Sequence, residues 1–114
     1  MQRDLGWGLD IVLACRDILD FTSGMTKDAF LADELVRSAV VRKIEVIGEA
    51  TKRLSPEFRA SFPDIPWQAM AGMRDRLIHG YEKVDWERVW AVVERSTVEL
   101  LAVLEPIAQR EREI

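Results

Sequence analysis

Three of the four prolines, Pro56, Pro63 and Pro66, crowd into one region, and the long stretches on either side are free of proline until Pro106. Proline fixes φ and donates no backbone hydrogen bond, so it punctuates helices and leaves proline-free stretches able to wind without interruption. Glycine is also scarce, with six in 114 residues. No segment alternates apolar and polar residues as a half-buried strand does; apolar residues instead return every three or four positions. There is no internal repeat and no low-complexity tract. The pattern predicts an all-α protein, an up-and-down bundle of four main helices plus a short extra helix, in a single domain over residues 1–114.

Residues 4 to 22 carry two apolar stripes, Leu5, Leu9, Val12 and Leu19 on one, and Trp7, Ile11, Ala14, Ile18 and Phe21 on the other. A helix apolar on two sides asks to be covered twice, by its own bundle and by a second subunit. Thr22-Ser23-Gly24 breaks the pattern. Thr26 or Asp28 is then placed to cap one long helix running to about Leu54, with Val36, Val40, Ile44, Ile47 and Leu54 along a face.

Ser55-Pro56-Glu57 reads as a cap followed by proline at the first helical position, giving a short turn of helix. Another helix is expected to start near Pro66, run through Met70 and Met73 toward Ile78, and end at Gly80. From Asp85, the positions Trp86, Trp90, Val93, Thr97, Leu100, Leu104 and Ile107 make a seven-residue seam broken only by Thr97, which argues for bundle packing at roughly +20°. Pro106 is expected to bend or fray the end of this last helix, and residues 109–113 to be solvated.

Composition narrows the chemistry. The single cysteine, Cys15, cannot form an intrachain disulfide, so a reducing cytoplasm is the default. The apolar run from Ile11 to Cys15 is too short for a signal-peptide core or a membrane span. A net charge of −4 and a pI near 5.0 have the wrong sign for a broad basic face, so any contact with nucleic acid must be local. One histidine, one cysteine and no spaced carboxylate cluster predict no metal and no cofactor.

The chain's only histidine and only tyrosine lie two positions apart, His79 and Tyr81, in the stretch Met73-Arg74-Asp75-Arg76-Leu77-Ile78-His79-Gly80-Tyr81. Histidine exchanges protons near neutrality, and at a helix C-terminus the dipole favours its charged form. Arginine presents a planar, permanently charged fork that matches phosphate oxygens. RNA carries its own nucleophile in the 2′-hydroxyl, so moving protons and stabilising charge on the phosphate suffice to cleave it. On spacing alone, structural roles outweigh this reading: His79 as a helix cap, and Arg74, Asp75 and Arg76 as an ordinary solvated face. Five residues also place Arg74 and His79 about 140° apart on a helix, so a curled arginine or a second subunit must complete any shared site.

The order Arg74, four residues, His79, one residue, Tyr81 resembles the signature of the HEPN superfamily, specifically its HepT branch of toxin ribonucleases. Ile47-Gly48-Glu49-Ala50, Ile65-Pro66-Trp67, Val84-Asp85 and Val89-Trp90 follow the HepT order and spacing around it, and the resemblance covers roughly residues 5–105. Asp75 fits the polar position after the arginine, where relatives often carry asparagine.

The resemblance implies a homodimer in which the Arg74 and His79 motifs of two subunits meet in a cleft, and a metal-independent endoribonuclease acting on tRNA or mRNA. It further implies a type VII-like toxin–antitoxin pairing, with an MntA-like minimal nucleotidyltransferase as antitoxin that silences the toxin by AMPylation of Tyr81. Tyr81 as a packed ring anchoring its loop stands beside that reading. Glu49, with Glu45 one turn earlier, is placed to support an arginine of the motif, or else to be solvated. Trp67, Trp86 and Trp90 read as packing residues rather than base-stacking platforms, and Trp7 as interfacial. Arg37, Arg42, Lys43, Lys52, Arg53, Arg76, Lys83 and Arg88 supply cations for a local cleft if the fold gathers some of them. The acidic net charge keeps a second function open, a non-catalytic helical dimer serving as companion or substrate-binding subunit of a nucleotidyltransferase.

Overall fold

The computed structural model describes residues 2–79 and 84–112, with residues 2, 77–79 and 109–112 by their backbone alone. The described residues form helices and connecting turns with no strand. Helix α1 spans Gln2–Phe21, α2 Lys27–Ala32, α3 Glu34–Arg53, α4 Pro56–Ala60 and α5 Trp67–His79; α6, Trp86–Ala91, continues through a π-helical turn at Val92–Ser96 into α7, Thr97–Arg112. Helix α1 packs against α3 and α7, and α3 packs on its other side against α5. Ile11, Val12, Cys15 and Ile18 of α1, Val40, Ile44 and Ile47 of α3, and Leu100 and Leu104 of α7 form the centre of the core.

The long helix expected from Thr26 or Asp28 to Leu54 is two helices. Thr26 caps α2, accepting from the Ala29 N–H at 3.1 Å. Asp33 then leaves helical geometry (φ −106°, ψ 95°) and starts α3, its carboxylate accepting from the Val36 N–H at 3.0 Å. A short acidic side chain competes for backbone donors wherever the chain can turn, and here that local bond wins over continuation. The break turns Phe30 fully inward, against Trp90 at 5.1 Å between ring centres. Two short helices, α2 and α4, therefore accompany the four long ones, where the sequence pattern suggested a single extra one.

Thr97, the polar gap in the predicted seam, is fully buried. Its hydroxyl donates to the Val92 carbonyl at 3.0 Å, and its N–H reaches the same oxygen. The π turn widens the backbone enough for that five-residue bond, so the threonine is satisfied internally. The helix continues through Pro106, and α7 runs on to Arg112. Pro106 and Ala102, whose carbonyl loses its partner, are both exposed, and water can take the vacant position.

Two devices set the start of α5. Ser55 caps α4 through the Phe58 N–H at 3.1 Å, and Asp4 of α1 accepts both the Ser55 N–H and its hydroxyl at 2.8 Å. The buried Trp67 indole donates to the Arg59 and Phe62 carbonyls at 3.0 and 3.1 Å, tying the end of α4 to the first turn of α5. The Ser55 bonds hold the Asp4 carboxyl below its ordinary value of 3.8 against the opposing effect of burial. A carboxylate with a depressed folded pKa stabilises above its unfolded pKa, and that stabilisation is lost as pH falls through the folded value. Asp4→Ala is accordingly expected to cost about 1–2 kcal/mol at pH 7, with the gap to wild type narrowing below about pH 4. Urea melts at pH 7 and pH 3 measure it; an equal gap at both would remove Asp4 from this role.

Candidate active site

Gly48 sits in the middle of α3, buried, where it faces α5. A Cβ there would lie 2.2 Å from the Cβ of Arg74, 2.8 Å from its Cγ and 3.3 Å from the Met70 carbonyl. Only a hydrogen fits, so the two helices meet at Arg74 closer than any other residue would permit. The first carbons of the arginine are pressed onto α3, which fixes where its guanidinium emerges.

The guanidinium is bonded at both ends. Nη2 lies 3.2 Å from Glu49 Oε2 on α3, and Nη1 lies 3.2 Å from Asp75 Oδ1 on its own helix. Glu49 also accepts from Arg53 Nε at 3.1 Å, and Asp75 from the Lys52 ammonium. Arg53, Glu49, Arg74, Asp75 and Lys52 thus form a chain of alternating charge across two helices. The Lys52 hydrogen bond, with Arg74 adding to it, holds the Asp75 carboxyl below its ordinary range against partial desolvation. Pairs this accessible to solvent contribute little to stability, and the Arg74 side chain is still 27% exposed. A phosphate oxygen can replace either carboxylate at little cost, while the packing against Gly48 keeps the fork in place.

Beside the guanidinium lies a cavity of about 200 Å³, walled by Trp7 and Asp10 of α1, by Arg42, Glu45 and Glu49 of α3, and by Arg74 itself. Arg42 and Glu45 face each other at 3.5 Å. The site therefore offers a fixed guanidinium, further cations one position removed, and room for a phosphate-sized group.

The fold brings Arg74, Asp75 and Glu49 together. His79 is the last residue of α5, its side chain outside the described residues, and Tyr81 and Lys83 also lie outside them. Of the cations in the sequence, Arg42, Lys52 and Arg53 gather around Arg74. Lys43 instead pairs with Asp17 at 2.9 Å, and Arg37 stacks over Trp86 at 4.8 Å. Trp67 and Trp90 are buried, which leaves their ring faces no room for a base. Among the described residues no group of three His, Cys, Asp or Glu side chains is placed to hold a metal ion.

Sequence reasoning missed Lys52 as the partner of Asp75, and it missed Trp7 and Asp10 as walls of the cavity. The structural meaning of Gly48 had a signal: a glycine inside an otherwise strong helix costs ~1 kcal/mol relative to alanine and marks a close approach. Lys52 had a weaker one, lying one turn beyond Gly48 on the same face.

The sequence profile of the family described as "Ribonuclease HepT-like" matches residues 11–107. A Methanocaldococcus jannaschii protein named as a candidate RNase is 46% identical over 84 residues, 74% of this chain and 69% of its own length. A protein of Thermococcus cleftensis named as a probable ribonuclease HepT is 39% identical, covering 86% of this chain and 89% of its own length. A candidate RNase of Caldanaerobacter subterraneus is 35% identical, covering 90% of this chain and 91% of its own length. No solved structure matches.

Proposed function

The chain belongs to the HepT-like ribonuclease family, and from that premise we propose that it is a metal-independent endoribonuclease in which Arg74 binds the scissile phosphate and His79 moves the protons. The 2′-hydroxyl of the RNA attacks the adjacent phosphorus, its proton leaves to a base, and the P–O5′ bond breaks as the leaving oxygen gains a proton. His79 serves these transfers, and Arg74 neutralises charge gathering on the phosphate oxygens. The observation that carries the reading is Arg74 itself, locked by Gly48 yet held only by exchangeable ion pairs at the mouth of a cavity.

Two copies of the chain complete the site. Arg74 and His79 lie on one helix about 140° apart, so the arginine of one subunit meets the histidine of the other more readily than its own. The biological setting we propose is a toxin whose antitoxin, a minimal nucleotidyltransferase of the MntA kind, transfers AMP to Tyr81. A bulky anion beside Arg74 would exclude RNA by charge and volume together. The carboxylates on both ends of Arg74 favour a second reading, a companion subunit whose motif is retained without turnover.

The test is incubation of purified protein with a mixed tRNA pool in excess EDTA, with molar mass measured by light scattering. Cleavage by a dimer is the expected result. A folded, unmodified protein that leaves tRNA and mRNA intact would hand the case to the companion-subunit reading, and a monomer at micromolar concentration would remove the shared site.

A further inference from the structure

The cavity at Arg74 has an approach. Trp7 and Asp10, which wall it, also line a larger groove of about 720 Å³ along the outer face of α1, shared with Arg3, Leu9 and Arg53. A ligand lying in this groove would reach the guanidinium past Trp7 and Asp10, the two residues that both spaces share. Trp7 is only half-buried, unlike Trp67 and Trp90, whose rings fill the core. The Arg53 guanidinium lies 5.4 Å from the centre of the Trp7 ring, with its side chain 58% exposed. Arg3 is exposed at the groove's edge, and Gly6, also exposed, has open space where a side chain would stand. Among the described residues no cation pairs with Asp10, so its carboxylate oxygens are available as acceptors.

An accessible indole flanked by arginines suits an unpaired nucleotide. The ring offers a stacking face that any base can use, and the cations match the phosphates on either side of it. Resting on the ribonuclease reading above, we propose that this groove is a subsite for single-stranded RNA: one base next to the scissile phosphate stacks on Trp7, Arg53 and Arg3 hold the flanking phosphates, and Asp10 accepts a base N–H. The groove positions the strand so that the next phosphate falls on Arg74. Continuity of the two spaces through Trp7 and Asp10 selects this occupant over a protein segment, which would need no connection to the arginine.

The probe is a fluorescein-labelled six-nucleotide RNA, 2′-O-methylated throughout so that it cannot be cut, titrated against full-length protein by anisotropy. Trp7→Leu, which keeps an apolar side chain but removes the stacking face, is expected to weaken binding about 5- to 150-fold, and Trp7→Phe to restore most of it. Arg3→Ala is expected to flatten the dependence of log affinity on log salt by about 0.7, the effect of one phosphate contact on a single strand. On cleavable RNA, Trp7→Leu should raise KM with little change in kcat. If Trp7→Leu proves unfolded by circular dichroism, Arg3→Ala and Asp10→Ala, both at exposed positions, decide the matter.

Wild-type protein that cuts RNA while the Trp7, Arg3 and Asp10 variants bind the probe unchanged overturns the groove and leaves the nuclease intact. Trp7-dependent binding without cleavage does the reverse. A Trp7→Leu variant with normal affinity but altered molar mass assigns this face to a second copy of the chain, which also overturns the proposal.

Discussion

Replacing His79 with alanine is expected to lower RNA cleavage by about 100-fold or more, and Arg74→Ala by about 100- to 1,000-fold, with both proteins still folded. The two losses differ in kind. Without His79 the phosphate still finds its guanidinium, so substrate affinity should hold while kcat falls. Arg74→Ala removes the cation and leaves Glu49 and Asp75 facing the same space, so the site turns from receptive to repellent toward phosphate. Affinity and kcat should then fall together. Arg74→Lys is expected to recover little, because one ammonium cannot reproduce a planar fork held at both ends. Gel assays of tRNA cleavage, paired with circular dichroism melts, measure all three. Retained cleavage in His79→Ala would move the proton transfers to another group and end the present assignment.

If Arg74 binds phosphate as proposed, the arrangement around it would let an acidic protein meet RNA. Four of its sixteen cations, Lys52, Arg53, Arg74 and Arg42, gather where two helices touch, each beside a carboxylate that keeps the net charge low. In the free protein these pairs hold the side chains in place. Under the proposed function, an arriving phosphate would exchange a weak carboxylate contact for a stronger one to the substrate, and the released carboxylate would still have a second cation to face. Glu49 has Arg53, and Asp75 has Lys52. A ribonuclease built this way needs no broad basic surface, which is consistent with a net charge of −4.

Much of the bundle was legible in the sequence, because the burial of α1, α3 and α7 follows from apolar spacing, and spacing is a local property. The faces carrying Val40, Ile44 and Ile47 and carrying Leu100 and Leu104 are the faces the core uses. The misreadings came where a polar side chain decides the local geometry. Asp33 is one acid among many along a strongly helical stretch, and only the partner it finds, the Val36 N–H, shows that it ends one helix and begins another. Thr97 read as a flaw in a seam, since its satisfaction depends on a π turn that periodicity cannot express. At the site, Glu49 was a candidate to support an arginine of the motif, with solvation as the alternative, and which of the two holds depends on how α3 and α5 cross. The motif's later half, His79 and Tyr81, rests on the sequence signature alone.

That crossing is what Gly48→Ala would disturb, and the change carries two opposed terms. Alanine inside a helix is favoured over glycine by about 1 kcal/mol, so on an open face the substitution would stabilise α3. Here the new methyl would stand 2.2 Å from Arg74 Cβ, an atom fixed by its backbone rather than the end of a flexible side chain. The clash can be relieved only by moving α5 away from α3, and overpacking of that sort typically costs about 1–3 kcal/mol. The steric term wins, and the variant should melt earlier than wild type. Function should suffer more than stability: a shift of about 1 Å at a catalytic group can cost about 100-fold in rate. Gly72→Ala is the internal control, because Gly72 lies on α5 two residues before Arg74 with nothing within 4 Å of an added Cβ. It should gain up to about 1 kcal/mol and keep its activity. Thermal melts and cleavage assays on the two variants side by side separate close approach at Arg74 from any general effect of alanine in these helices. If Gly48→Ala were as stable and as active as Gly72→Ala, then the contact between α3 and α5 would not be what positions the arginine.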